Sequence, residues 1–204
     1  MSEASAWDAR YGQQGFTFGA APNLYLRSLQ PRLRPGMRAL SLGDGEGRNG
    51  VWLAEQGLEV TSLDWSEVGL EKARTLAAAR GVALRSECAD LTRWCWPAEG
   101  YDLVAWIFVH LPPADRALVA DRAMAALRPG GLLAVEAFTP AQEGRRSGGP
   151  RDPALLPTGA ELRHLFRNLI VLECLEGTVR LDEGPRHQGE AEVVRGLWQR
   201  PEQG

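Results

Sequence analysis

Residues 38–49 read RALSLGDGEGRN, and the fold turns on how that stretch is parsed. Ala39, Leu40 and Leu42 supply a short apolar strand. Gly43, Gly45 and Gly47 follow at every second position, where side chains would otherwise keep a ligand off the backbone. Asn49 opens a helical run through Trp52, Leu53 and Ala54 that stops at Gly57. A strand, a glycine turn and a helix N-terminus make a nucleotide-type pocket, because the helix end offers free N–H groups and partial positive charge.

Spacing argues against the two common phosphate binders. In a G-x-G-x-x-G fingerprint counted from Gly43 the sixth position is Arg48; counted from Gly45 it is Gly50, with Arg48 and Asn49 crowding the interval. A phosphate-cradling G-x-x-x-x-G-K-[ST] loop needs a lysine, and the one lysine of the chain is Lys72. What remains is G-x-G-x-G carrying Asp44 and Glu46. Carboxylates repel pyrophosphate and suit a cationic ligand. S-adenosylmethionine (SAM), with a sulfonium and an ammonium against one carboxylate, meets that condition.

Working outward, a second strand over 58–63 ends at Asp64, seventeen residues after Gly47. An acid at that tip accepts two hydrogen bonds from a ribose diol, and Trp65 beside it offers a face for adenine. Ser66 reads as the N-cap of a helix closing at Gly81. A third strand over 82–87 leads to Cys88, Ala89, Asp90 and Leu91. Residues 101–108, YDLVAWIF, are nearly all apolar, as in a central parallel strand covered on both faces. Ile107 lies near its end and His110 just beyond it, where open α/β sheets hold their ligands. Histidine can serve there as a base near neutral pH. A helix over about 114–127 and a turn at Pro129-Gly130-Gly131 precede a strand over 132–137. Residues 141–158, rich in Gly, Pro and Arg, read as a mobile loop. Thr158-x-x-Glu161 is a capping pattern for a last helix, and two β-rich runs over 169–181 and 190–198 read as an antiparallel edge pair.

The chain resembles the class I SAM-dependent methyltransferases, in particular the small bacterial branch related to tellurite-resistance and thiopurine methyltransferases. The likeness rests on WDARY and FGAAPN near the start, LSLGDGEGRNGVWLAEQGLEVTSLDWS, CADL, YDLVAWIFVHLPP, LRPGGLLAVEAFTP and DEGPRHQGEAEVV. It implies a Rossmann-like three-layer α/β sandwich with a mostly parallel seven-stranded sheet and an antiparallel C-terminal strand. It also implies SAM as cofactor, with Asp90 and Leu91 reading the adenine. The cofactor-binding set is then Gly43, Asp44, Gly45, Asn49, Asp64, Trp65, Ala89, Asp90, Leu91 and Ile107, with His110 as the catalytic candidate and no metal. One departure stands out. Such proteins usually carry an acid two residues before the first glycine, where this chain has Ser41; Asp44 is expected to replace part of its charge.

Composition fits one domain, 1–204, with residues 1–34 as an N-terminal lid or extension on a core of 35–204. A net charge of −3, 44% hydrophobic and 24% charged residues describe a globular chain without a broad nucleic-acid patch. No apolar run is long enough to cross a bilayer. The opening residues do not read as a secretion leader. The three cysteines are isolated, which disfavours a disulfide framework or zinc site and points to the cytoplasm. The expected reaction is in-line transfer of a methyl group to a small-molecule acceptor, by a monomer or homodimer. A nicotinamide-dependent oxidoreductase and a non-catalytic SAM-binding module are the alternatives.

Overall fold

The computed structural model describes residues 3–202; residues 1, 2, 203 and 204 of the expected domain lie outside them. Seven strands form one mixed sheet in the order β3-β2-β1-β4-β5-β7-β6. The described residues separate into two compact units, one of residues 3–94 with 183–187 and one of 95–182 with 188–202.

In the first unit, β1 (Arg38–Leu42), β2 (Glu59–Asp64) and β3 (Arg85–Cys88) run parallel. Parallel neighbours need crossovers, and α3 (Arg48–Glu55) and α4 (Glu67–Ala79) supply them. Gly47 caps α3 in the left-handed region at φ 84°. Ser66 caps α4, its hydroxyl accepting from the Gly69 N–H at 3.1 Å, as its place in the sequence predicts. The expected third strand starts three residues later and ends one later than the pattern suggests. Ahead of β1 stand α1 (Glu3–Tyr11) and α2 (Leu24–Ser28), the latter capped by Asn23. The sequence does not announce α1, because that segment lacks an apolar stripe at helical spacing.

In the second unit, β4 (Tyr101–Ile107) pairs in parallel with β5 (Leu127–Phe138), and α5 (Pro113–Ala126) crosses between them. The expected helix end at Leu127 is corrected. Leu127 is already extended and pairs with Tyr101, so Arg128–Gly131 forms a register shift inside β5 rather than a turn before it. After α6 (Gly159–Leu165), whose first turn is capped by the Thr158 hydroxyl, come β6 (Ile170–Asp182) and β7 (Gln188–Gln199). β7 lies antiparallel between β5 and β6, the reversed last strand that the resemblance implies.

The expectation of a mobile loop over 141–158 is also corrected. The Gln142 amide is buried and donates to the Ser147 hydroxyl at 2.9 Å and the Gly148 carbonyl at 3.0 Å, while its oxygen accepts from the Glu192 N–H. Arg145 pairs with Glu190 at 3.2 Å and with Glu192. Arg116 donates to the carbonyls of Ala154 and Leu155. Glycine and proline content signalled irregular backbone; the hydrogen bonds that fix it join residues up to 50 positions apart.

Candidate cofactor site

The glycine turn is shaped by the side chains it buries. Gly43, Gly45 and Gly47 all have positive φ. A Cβ on Gly47 would meet Ala73 of α4 at 2.6 Å, so that glycine permits close helix packing. A Cβ on Gly50 would strike the Asp44 carboxylate at 2.3 Å. Gly45, Gly47 and Gly50 therefore do satisfy G-x-G-x-x-G, and spacing alone does not set this turn apart from a dinucleotide fingerprint. Its acids do.

Asp44 faces inward. Its carboxylate accepts from the Ser41 hydroxyl at 2.7 Å, the Ser62 hydroxyl at 2.6 Å and the Gly50 N–H at 3.0 Å. Burial pushes its pKa up, against those three bonds and the Arg48 charge. Ser41, at the position where the resemblance leads one to expect an acid, is the hydroxyl partner of the Asp44 carboxylate in one buried pair. Glu46 is equally occupied. It pairs with Lys72 at 2.9 Å and accepts from the Thr17 N–H at 2.6 Å. Neither acid stands as free negative charge on the loop.

Asp64, at the tip of β2, accepts from the Gly45 N–H at 2.9 Å and the Ser66 N–H at 2.8 Å. Burial lifts its pKa to about 6, although the backbone N–H groups pull the other way. Tyr11 lies across the same spot. Its hydroxyl would be 2.5 Å from a Cβ at Gly45, and its ring 2.9 Å from one at Gly69. Burial and the Asp64 charge push the Tyr11 phenol well above its ordinary range.

The remaining candidates sort by their partners. Asn49 accepts the Asn23 N–H at 2.9 Å and so holds the segment before α2. The Ala89 N–H donates to the Asp64 carbonyl. Asp90 folds its own turn, accepting from the Thr92 N–H and hydroxyl at 2.7 Å each. Leu91 is buried and Trp65 half-buried. Ile107 and His110 belong to the second unit. His110 Nε2 accepts from the Phe138 N–H at 3.3 Å, and its ring stacks 5.7 Å from that of Phe138. Phe108, between them in sequence, sits at φ 54°, strained backbone of the kind that gathers at ligand sites. Among the described residues no group of acids, histidines and cysteines is arranged to hold a metal, and no helix is long and apolar enough to cross a membrane.

A cluster that the sequence reading missed lies in the first unit. Glu183, fully buried, pairs with Arg48 at 3.0 Å, accepts twice from the Asn23 amide at 2.9 and 3.1 Å, and accepts from the Leu24 N–H at 2.8 Å. Burial alone would raise its pKa; His187, Arg48 and these N–H donors overcome that and bring it to about 2. The His187 ring packs against that of Phe18 with centroids 4.9 Å apart and the planes tilted by 49°, and burial lowers its pKa. The motifs GRN, PN and DEGPRH each hinted at a role; that they meet could not be read from residues 135 to 160 positions apart.

The residues fit SAM. A carboxylate holding one backbone N–H per oxygen keeps capacity for a ribose diol, and the missing side chain at Gly45 is what lets the Tyr11 hydroxyl close over the turn beside it.

Residues 39–131 match the family model described as a methyltransferase domain. Together with the sheet order, this match supports SAM-dependent methyl transfer with SAM as the cofactor. Similar solved structures include that of a protein from the conversion of a disulfide bond into a thioacetal group during echinomycin biosynthesis. It is 22% identical with a TM-score of 0.76, over 100% of this chain and 94% of that one. TehB from Haemophilus influenzae is 17% identical with a TM-score of 0.72, over 97% and 66% of the two chains. The Burkholderia thailandensis 1,6-didemethyltoxoflavin-N1-methyltransferase, with bound S-adenosylhomocysteine, is 21% identical with a TM-score of 0.65, over 88% and 79%. A comparison with curated protein sequences gives no match. The family match favours methyl transfer over the nicotinamide alternative.

Proposed function

We propose that the protein transfers a methyl group from SAM to a small-molecule acceptor. The observation that carries this reading is Asp64, a buried acid tied by the Gly45 N–H to the glycine turn and raised in pKa to about 6. Perturbed carboxylates of that kind gather at functional sites. SAM supplies an electrophilic methyl, which a nucleophilic N, S, O, Se or Te atom takes by in-line displacement. The chain's residues bind and orient. Gly43 and Gly45 offer bare backbone to the methionine end, Asp64 accepts from the ribose, Trp65 lies against the adenine, and Ala89, Asp90 and Leu91 read its edge. Asp44 and Asn49 act through the shape of the turn, since their oxygens already hold Ser41, Ser62, Gly50 and Asn23. Tyr11 covers the turn and keeps water out. Alignment and exclusion of water account for most of the acceleration.

A small acceptor is in keeping with the similar fold of a methyltransferase solved with 1,6-didemethyltoxoflavin. Calorimetry comparing SAM with NADH, followed by detection of S-adenosylhomocysteine release across a panel of small acceptors, tests the proposal. SAM binding with release on at least one acceptor supports it. NADH binding in place of SAM overturns it.

A further inference from the structure

The one lysine of the chain is spent in an unusual way. Lys72, on α4, directs its ammonium to three acceptors: the Gln13 carbonyl at 2.8 Å, the Gly15 carbonyl at 2.6 Å and Glu46 Oε1 at 2.9 Å. An ammonium has three donors, and all three are used. The other oxygen of Glu46 accepts from the Thr17 N–H. A single carboxylate of the glycine turn and a single amine of α4 therefore grip residues 13, 15 and 17 of one segment. That segment follows Tyr11, whose ring lies over Gly45, and α1 is further tied down by Asp8, which accepts from the Ser66 hydroxyl at 2.5 Å. The Glu46 side chain is 3% exposed and that of Lys72 25% exposed, so the pair is sheltered from water yet reachable from it.

We infer that Lys72 and Glu46 form a latch that holds residues 11–17 over the glycine turn, and that cofactor exchange runs through its opening. Lys72 is a positioning residue; it reaches the cofactor only through the segment it holds. The inference rests on the proposed SAM site, because a latch over Gly45 and Asp64 controls exchange only if the cofactor lies there. No group at this position changes covalently. Opening trades three charge-assisted bonds for water, which makes it a local event rather than unfolding of the unit.

Three measurements on the full-length protein test it. Hydrogen exchange of the peptide spanning residues 8–19 should quicken at least tenfold in Lys72→Met relative to wild type, with or without SAM, while peptides from β4 and β5 keep their rates. Stopped-flow release of S-adenosylhomocysteine should quicken at least tenfold in Lys72→Met and recover partly in Lys72→Arg, which restores the charge but not the three-pronged donor. Acetylation of wild-type Lys72 by an amine-reactive ester, mapped by mass spectrometry, should slow at least fivefold under saturating SAM. The latch is overturned if exchange over 8–19 in Lys72→Met matches wild type. It is equally overturned if that exchange quickens while release and acetylation do not respond. If the wild type binds no SAM, the functional reading fails instead, and the exchange experiment still decides whether the latch exists.

Discussion

The glycine turn and the edge strand β6 treat polarity in opposite ways. Around the turn, Asp44, Glu46, Arg48, Asn49 and Asp64 are all buried, and each has named partners. Along β6, apolar side chains face outward, with Leu175 at 65% exposure and Ile170 at 49%. A buried charge survives only where its partners are fixed, so the turn has one arrangement. An exposed leucine asks nothing of its neighbours. Substitutions should therefore be severe in the first region and nearly silent in the second.

The sharpest attempt to break that contrast is Glu183→Ala. It strips a buried guanidinium of its carboxylate, and chemical denaturation should register a loss of about 3–5 kcal/mol. A loss under 1 kcal/mol would mean that the cluster is solvated and the contrast false. Asp44→Asn comes next. It sets an amide N–H against hydroxyl and backbone donors, and should lower stability by about 2 kcal/mol and weaken SAM binding about tenfold by calorimetry. Unchanged affinity would separate Asp44 from the cofactor altogether.

Asp64 sharpens the comparison through pH. Its folded pKa of about 6 lies above the usual 3.8, so the folded state takes up its proton first as pH falls. Its contribution to stability is fully present below about pH 4 and is lost as pH rises through 6, a swing of about 3 kcal/mol. Cofactor binding runs the other way, since the ribose needs the ionised acid. SAM affinity should fall up to about tenfold between pH 6 and pH 5, and Asp64→Asn should abolish that dependence. Glu183, held at about 2, adds stability above about pH 4.5 that is lost only as pH falls towards 2.

His110→Ala should lower turnover by less than about tenfold, because Nε2 is already an acceptor for the Phe138 N–H. A hundredfold loss with a bell-shaped pH profile would make it a base. The smallest effect belongs to the edge: Leu175→Lys should shift stability by no more than about 0.5 kcal/mol and leave SAM binding unchanged.

Much of this was legible in the chain. Short-range signals carried it: the glycine turn after β1, the Ser66 and Thr158 caps, the apolar run of β4 and the reversed pair at the end. Boundaries slipped where tertiary pairing overrode local preference, as at Leu127, which leaves its helix to pair with Tyr101. The charge on the glycine turn was misjudged for the same reason. Asp44 and Glu46 read as ligand-facing acids until Ser62 and Lys72, 18 and 26 residues on, were seen to occupy them.

By itself the sequence determined the α/β alternation, the glycine turn after β1 and the acid at the tip of β2, since each depends on residues within a few positions of one another. Only the tertiary structure decided which charges are buried, that Glu183 grips Arg48 and Asn23, and that Lys72 fastens the segment after Tyr11. Those contacts join residues 26 to 160 positions apart, and a side chain's partner at such range is set by the packing of the whole unit, which no local pattern encodes.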